Sequence, residues 1–179
     1  CEYKFDPVFK YSAFVVSIEI TSKENRTIIS VDGDHDSFKS NSDVFYFEST
    51  GKTMIYFPKK LEKFYKNLEI ISIASANLSE ISKEDIKVFT KLQSLSLPSN
   101  NIEVINADLF KFNPQITQLN LNYNKIKLVA SGAFDILIKL EFLGFAQNSC
   151  HSGIVQAMLN HTKMRNFINK NNSSRIKKK

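Results

Sequence analysis

Residues 92–102 read LQSLSLPSNNI, and residues 116–126, twenty-four positions on, read ITQLNLNYNKI. The apolar letters keep their places while the letters between them change. A domain folded around one central core has no use for such a repeat. A stack of equivalent coils requires one, because each coil buries its apolar edge only against its neighbours.

The spacing extends in both directions. Segments starting at Leu68, Leu92, Ile116 and Leu140 read LEIISIASANL, LQSLSLPSNNI, ITQLNLNYNKI and LEFLGFAQNSC. Positions one, four and six are apolar in all of them, and position nine is Asn100, Asn124 or Asn148, with Ala76 in the first. Position eleven is Leu78, Ile102, Ile126 and, last, Cys150; further on Ile81, Ile105 and Val129 recur, then Ile86, Phe110 and Phe134. Alternation at positions four and six predicts a short strand with those side chains turned inward. The chain must then turn sharply, and a buried Asn amide at position nine can satisfy backbone groups that the strand ladder no longer reaches. All these residues are read as core and ladder, and none as a site.

The pattern resembles the leucine-rich repeat family, L-x-x-L-x-L-x-x-N/C-x-L, in its 24-residue extracellular class. The fold expected is an α/β leucine-rich repeat solenoid of about four to five coils. It would have a parallel concave sheet, a β-rich N-terminal cap over residues 1–58, repeats over 59–152, a capping helix over 153–170 and a basic, disordered tail at 171–179. Val44 and Phe47 fall on the register of Leu68 and Ile71, so residues 44–67 form an irregular first repeat on this reading. The run IVQAMLNHTKMRNFINK after Gly153 is long enough for four helical turns and is assigned to covering the last coil.

The first segment narrows the resemblance. A leading Cys-x-Tyr, Val31-Asp-Gly-Asp-His35, Lys39-Ser-Asn-Ser-Asp-Val44, and Phe57-Pro58 ahead of Phe64-Tyr-Lys-Asn-Leu68 are similar to short secreted leucine-rich repeat proteins of flies, midges and mosquitoes, including leucine-rich repeat immune proteins. That resemblance implies extracellular recognition in innate immunity. Such proteins often carry a second cysteine in a Y-x-C-x-V context, where this chain has Ala13. Cys1 and Cys150 belong to opposite ends of the stack, on the order of 20 Å apart by strand spacing and beyond the ~7 Å reach of a disulfide. Cys150 is read as a small buried apolar residue, and Cys1 as half of an interchain disulfide or as an idle thiol.

Charge and composition bound the rest. The formal net charge is +6, but residues 151–179 hold seven of the 24 Lys and Arg and no acidic group, leaving 17 basic against 18 acidic residues before them. A nearly neutral body argues against a nucleic-acid surface. The RIKKK end offers at most a polyanion-binding arm. No run approaches a membrane span. Acceptor sequons stand at Asn25, Asn77, Asn160, Asn171 and Asn172, which together with the non-Met start favours a secreted glycoprotein. Asp32, Asp34, Asp36 and Asp43 mimic a calcium loop, but Ser37 replaces the turn glycine and the flanks read as strands. His35, His151 and His161 are scattered, and no nucleophile, phosphate-loop or metalloprotease motif occurs. The expectation is a non-enzyme with no cofactor or metal.

Function then falls to the outward residues of the strands. Ile70, Ser72, Ser94, Ser96, Gln118, Asn120, Asn122 and Phe142, with Tyr123 beside the strand, are the candidate ligand-binding residues. They suit a protein or glycan ligand on a rigid scaffold. A matrix component assembled through Cys1 or the tail is the alternative.

Overall fold

The computed structural model describes residues 1–6, 10–15, 17–36 and 38–149. Cys150, the helix expected over 153–170, the tail, and the sequons at Asn160, Asn171 and Asn172 lie outside the described residues.

The strands are β1 (Glu2–Asp6), β2 (Lys10–Phe14), β3 (Glu19–Ile20), β4 (Tyr46–Thr50), β5 (Thr53–Met54), β6 (Ile70–Ala74), β7 (Ser94–Ser96), β8 (Val104–Ile105), β9 (Gln118–Asn120), β10 (Leu128–Val129) and β11 (Phe142–Gly144). Seven of them form one sheet in the order β1-β2-β4-β6-β7-β9-β11. β1 meets β2 antiparallel, and every later pairing in this sheet is parallel. The register steps by the repeat length: Tyr46 faces Ile70, Ile70 faces Ser94, Ser94 faces Gln118 and Gln118 faces Phe142. The fold is therefore a β-solenoid whose coils advance by 24 residues. One irregular coil precedes them, joining Ser12 to Tyr46 across thirty-four positions. Short parallel pairs, β3 with β5 and β8 with β10, line other sides of the coils.

Helix content among the described residues is small. The one α-helix among the described residues is α1 (Lys83–Ile86), with 3-10 turns at Asn41–Asp43 and Leu61–Lys63. Local chemistry explains why α1 forms in one coil. Ser82 donates from both its backbone N–H and its hydroxyl to Asp85 Oδ2, at 2.9 and 2.6 Å, a capping arrangement. The matching positions in later coils are Asn106 with Leu109 and Ala130 with Ala133, which cannot form that cap. There the chain closes only tight turns, Leu109 N–H to Asn106 O and Ala133 N–H to Ala130 O, both 3.2 Å.

The inward residues make one continuous core. Leu68, Ile71, Ile73, Leu92, Leu95, Leu97, Ile116, Leu119 and Leu121 are all buried, as are Ile81, Ile105 and Val129. Phe110 and Phe134 stack with ring centroids 5.9 Å apart and fill the side away from the sheet. The asparagine ladder runs between coils. Asn100 Oδ1 accepts from Ala76 N–H and Leu78 N–H of the preceding coil, both at 3.0 Å, while its Nδ2 donates to Ile73 O at 2.7 Å and Leu97 O at 3.2 Å. Asn124 and Asn148 repeat the scheme on Ile102 N–H and Ile126 N–H. A second buried amide, Asn113, donates to Ile86 O and Phe89 O. It has no counterpart at the repeat spacing, where Phe89 and Leu137 stand, so periodicity does not reveal it.

The N-terminal end is closed by a hydrogen-bonded aromatic cluster. Tyr3 stacks on His35 at 3.9 Å and donates to Asn41 Oδ1 at 2.8 Å, while His35 Nδ1 lies 2.9 Å from the Tyr11 hydroxyl. Burial pushes the Tyr3, Tyr11 and Tyr65 phenols above the ordinary tyrosine value, so each keeps its proton for hydrogen bonding. Asp43 closes the turn at Ser40, whose hydrogen bonds hold its carboxyl below the usual carboxylate range.

Candidate functional site: the concave sheet face

Alternation along the strands decides what the sheet presents. With Ile71, Leu95 and Leu119 turned inward, Ile70, Ser94, Gln118 and Phe142 form one outward row. Ser72, Ser96, Asn120 and Gly144 form the next. All of the sequence-predicted face residues lie on this sheet or at its edge. Ile70, Ser72, Ser94, Ser96, Asn120 and Asn122 are half-buried, and Gln118, Tyr123 and Phe142 are exposed.

The same registers carry the face beyond the repeats. Tyr46 continues the first row, and Glu48 the second, with Phe14 beside Glu48 on β2. Sequence reasoning left out all three. The match of Val44 and Phe47 to the repeat register already turns Tyr46 and Glu48 outward. Phe14 had no such signal, because it joins across the irregular coil. At this end the Phe14 and Tyr46 rings meet edge to face at 6.0 Å. The Tyr46 hydroxyl donates to Glu48 Oε2 at 2.5 Å, and Lys4 at the rim pairs with Glu2 at 2.8 Å.

The face is a shallow trough. Over β6 and β7 it presents Ser72, Ala74, Ser94 and Ser96 beside Ile70, and larger side chains stand on β4 and β9, on the order of 14 Å apart by strand spacing. At the end of β9 and just beyond it the amides are held in place. Asn122 N–H donates to Asn120 Oδ1 at 3.1 Å, and Ala146 N–H donates to Asn122 Oδ1 at 2.7 Å.

Each coil leaves the sheet through a left-handed residue: Ser75, Ser99, Tyr123 and Gln147 have φ between 52° and 57°. Gly51 occupies the same place one coil earlier, at φ 67°. Glycine meets this geometry without strain, whereas a bulky aromatic there pays for it. Tyr123 nevertheless holds the position with its side chain 60% exposed at the rim of the trough. Backbone strain at an exposed aromatic beside a groove motivates a functional assignment.

The remaining candidates are dispersed. The Asn25 and Asn77 side chains are exposed, Asn77 in a left-handed turn with φ 63°. Cys1 is half-exposed, and its Sγ accepts from the Tyr65 hydroxyl at 3.3 Å inside the cap. Asp36 donates its backbone N–H to Tyr11. Among the described residues no three His, Cys, Asp or Glu side chains converge on a metal-sized site, and no helix is long and apolar enough to cross a membrane.

Comparison with known proteins agrees with this geometry. Residues 90–149 match the leucine rich repeat family. Among solved structures, the chain superposes on the LRIM1/APL1C complex with TM-score 0.63 and 19% identity, over 87% of this chain and 29% of that one. It also superposes on the TLR13-ssRNA13 complex (TM-score 0.51, 20% identity, 61% of this chain and 19% of that one) and on the APL1 leucine-rich repeat domain (TM-score 0.50, 15% identity, 83% and 43%). The chain spans less than half the length of each of these structures, and at such identities the likeness is one of fold. No match was found among curated proteins. The fold is that of a leucine-rich repeat solenoid.

Proposed function

We propose that this leucine-rich repeat solenoid is a secreted recognition protein that holds a protein or glycan ligand in its concave trough, in the setting of innate immunity. The observation that carries the reading is Tyr123, an exposed aromatic kept in a left-handed turn at the trough rim, where an earlier coil uses Gly51. Ser75, Ser99 and Gln147 hold the same corner in the other coils, so the turn itself does not call for an aromatic, and the exposed ring is what a ligand would meet. Pre-ordered strands present the remaining face residues without an ordering cost at the moment of binding.

The extracellular setting rests on the 24-residue repeat class, on the resemblance to secreted dipteran immune proteins and on the exposed sequon residues Asn25 and Asn77. The likeness to a chain of the LRIM1/APL1C complex fits a role in recognition, and the fold supports binding rather than catalysis. Assembly through Cys1 is less favoured, because its sulfur is engaged with Tyr65 within the cap.

The reading is tested by probing arrays of extracellular proteins and glycans with the whole chain. The double variant Asn120→Ala, Tyr123→Ala should lose at least about tenfold in affinity for its targets, as removal of an aromatic anchor and its neighbour does at other interfaces. Its thermal unfolding should fall by only a few degrees, since one half-buried hydrogen bond is lost. Undiminished capture by this variant rejects the concave trough as the site.

A further inference from the structure

We infer that the Asn120–Asn122–Gly144 corner of the trough is a subsite for a neutral saccharide bearing an acetamido group, an inference that rests on the concave-face reading above. Both carboxamides are oriented by the backbone. The groups facing Asn120 Oδ1 and Asn122 Oδ1 are the N–H donors of Asn122 and Ala146, and a backbone N–H can only donate. Each amide is thereby fixed with its oxygen occupied and its amino group directed to nothing else among the described residues. Two preset donor groups remain at this corner.

The third member makes room for them. A Cβ at position 144 would lie 2.6 Å from Asn122 Nδ2 and 2.8 Å from Asn120 Oδ1. Gly144 is not in the left-handed region, so backbone freedom does not explain its presence. What the absent side chain provides is space for the two amides to lie across the neighbouring strand.

A ligand for this corner must bring acceptors to fixed N–H groups. Anions fit poorly, because the described face carries Glu48, and Lys4 at its rim is already paired with Glu2. A protein partner fits less well than a glycan. Protein interfaces concentrate aromatic and arginine anchors at the centre, whereas here the centre is Ser72, Ser94 and Ser96 with Ile70, and the aromatics stand at the ends. An acetamido carbonyl matches the amide donors, sugar hydroxyls match the serine hydroxyls, and the Tyr123 ring, 60% exposed, offers an apolar surface to the C–H groups of a sugar ring.

The test is calorimetric titration of the whole chain with three tetrasaccharides: N-acetylglucosamine, its de-N-acetylated form and glucose. The acetylated oligomer should bind at least about tenfold more tightly than either of the others, the value of roughly one well-made hydrogen bond to a fixed donor. Asn122→Asp keeps the acceptor for Ala146 N–H and removes the donor, so it should abolish the preference for acetylation. Gly144→Ala should weaken binding of the acetylated oligomer by a similar factor. Ser96→Arg, which fills the trough floor, should remove binding of all three. Equal affinity for acetylated and de-N-acetylated oligomers, or binding of no oligomer, overturns the acetamido inference. If Ser96→Arg still abolishes capture of whatever the arrays identify, the concave-face reading survives that result. Saccharide binding that ignores Ser96→Arg overturns both.

Discussion

Asn100→Ala is expected to destabilise the solenoid by about 4 kcal/mol, since it orphans two buried backbone N–H groups at roughly 1–3 kcal/mol each. The donors are Ala76 N–H and Leu78 N–H, at the corner where the chain leaves β6 and no strand partner is available. The same substitution strips Ile73 O and Leu97 O of the amide donor that bridges one coil to the next. In a stack where each coil is held only by its neighbours, the loss falls on the interface between units. Urea unfolding followed by circular dichroism should show a lowered midpoint with an unchanged slope. Asn100→Asp keeps the acceptor and loses the donors, so it should fall between alanine and the parent. A loss below about 1 kcal/mol for the alanine variant contradicts the ladder.

The second large effect is expected at Asp85. Its carboxylate is 2% exposed and lies 3.0 Å from Arg26 Nη1, itself on a side chain only 12% exposed, joining residues 59 positions apart. The other oxygen caps α1 through Ser82. Asp85→Ala leaves a buried guanidinium without its counter-charge and removes the cap, a loss of about 3–5 kcal/mol. Arg26 Nε is buried without a hydrogen-bond partner, so the pair is incompletely compensated even when intact. Replacing both residues, as Arg26→Met with Asp85→Ala, should therefore recover much of the single-variant loss. Chemical denaturation of the singles and the double closes the cycle, and simple additivity would show that the two side chains do not interact.

These two contacts mark how far the sequence can be read. The ladder asparagines, the inward columns and the repeat register follow from one period, because each coil solves the same packing problem and reuses the same letters. The irregular coil between Ser12 and Tyr46 obeys no period, so its pairing onto the sheet depends on long-range contacts that no local pattern encodes. Arg26 with Asp85 belongs to that class, and so does Phe14 on the face. Where a coil takes a helical turn is likewise a local matter: a 24-residue coil tolerates either a turn of helix or a tighter turn, and the Ser82–Asp85 cap tips the choice in one coil.

The candidate face was legible in part. Reading outward positions from the repeat named nine residues, and the geometry places each of them on or beside the trough. It did not identify the Glu48–Tyr46 end, which sits before the first regular repeat, nor Gly144, whose contribution is the volume it leaves empty. The left-handed corner at Tyr123 was invisible as well, since Ser75, Ser99 and Gln147 occupy it elsewhere and share no letter with it.

The central claim is that recognition resides in the side chains that vary on the concave face, while the repeated residues supply only the scaffold. The most direct measurement is amide chemical-shift mapping of the whole chain titrated with the ligand that the arrays select. The account predicts that the perturbed residues cluster on β6, β7, β9 and the Tyr123 corner. Perturbations gathered instead around the exposed Val88, Phe112 and Ile136, away from the sheet, would contradict it.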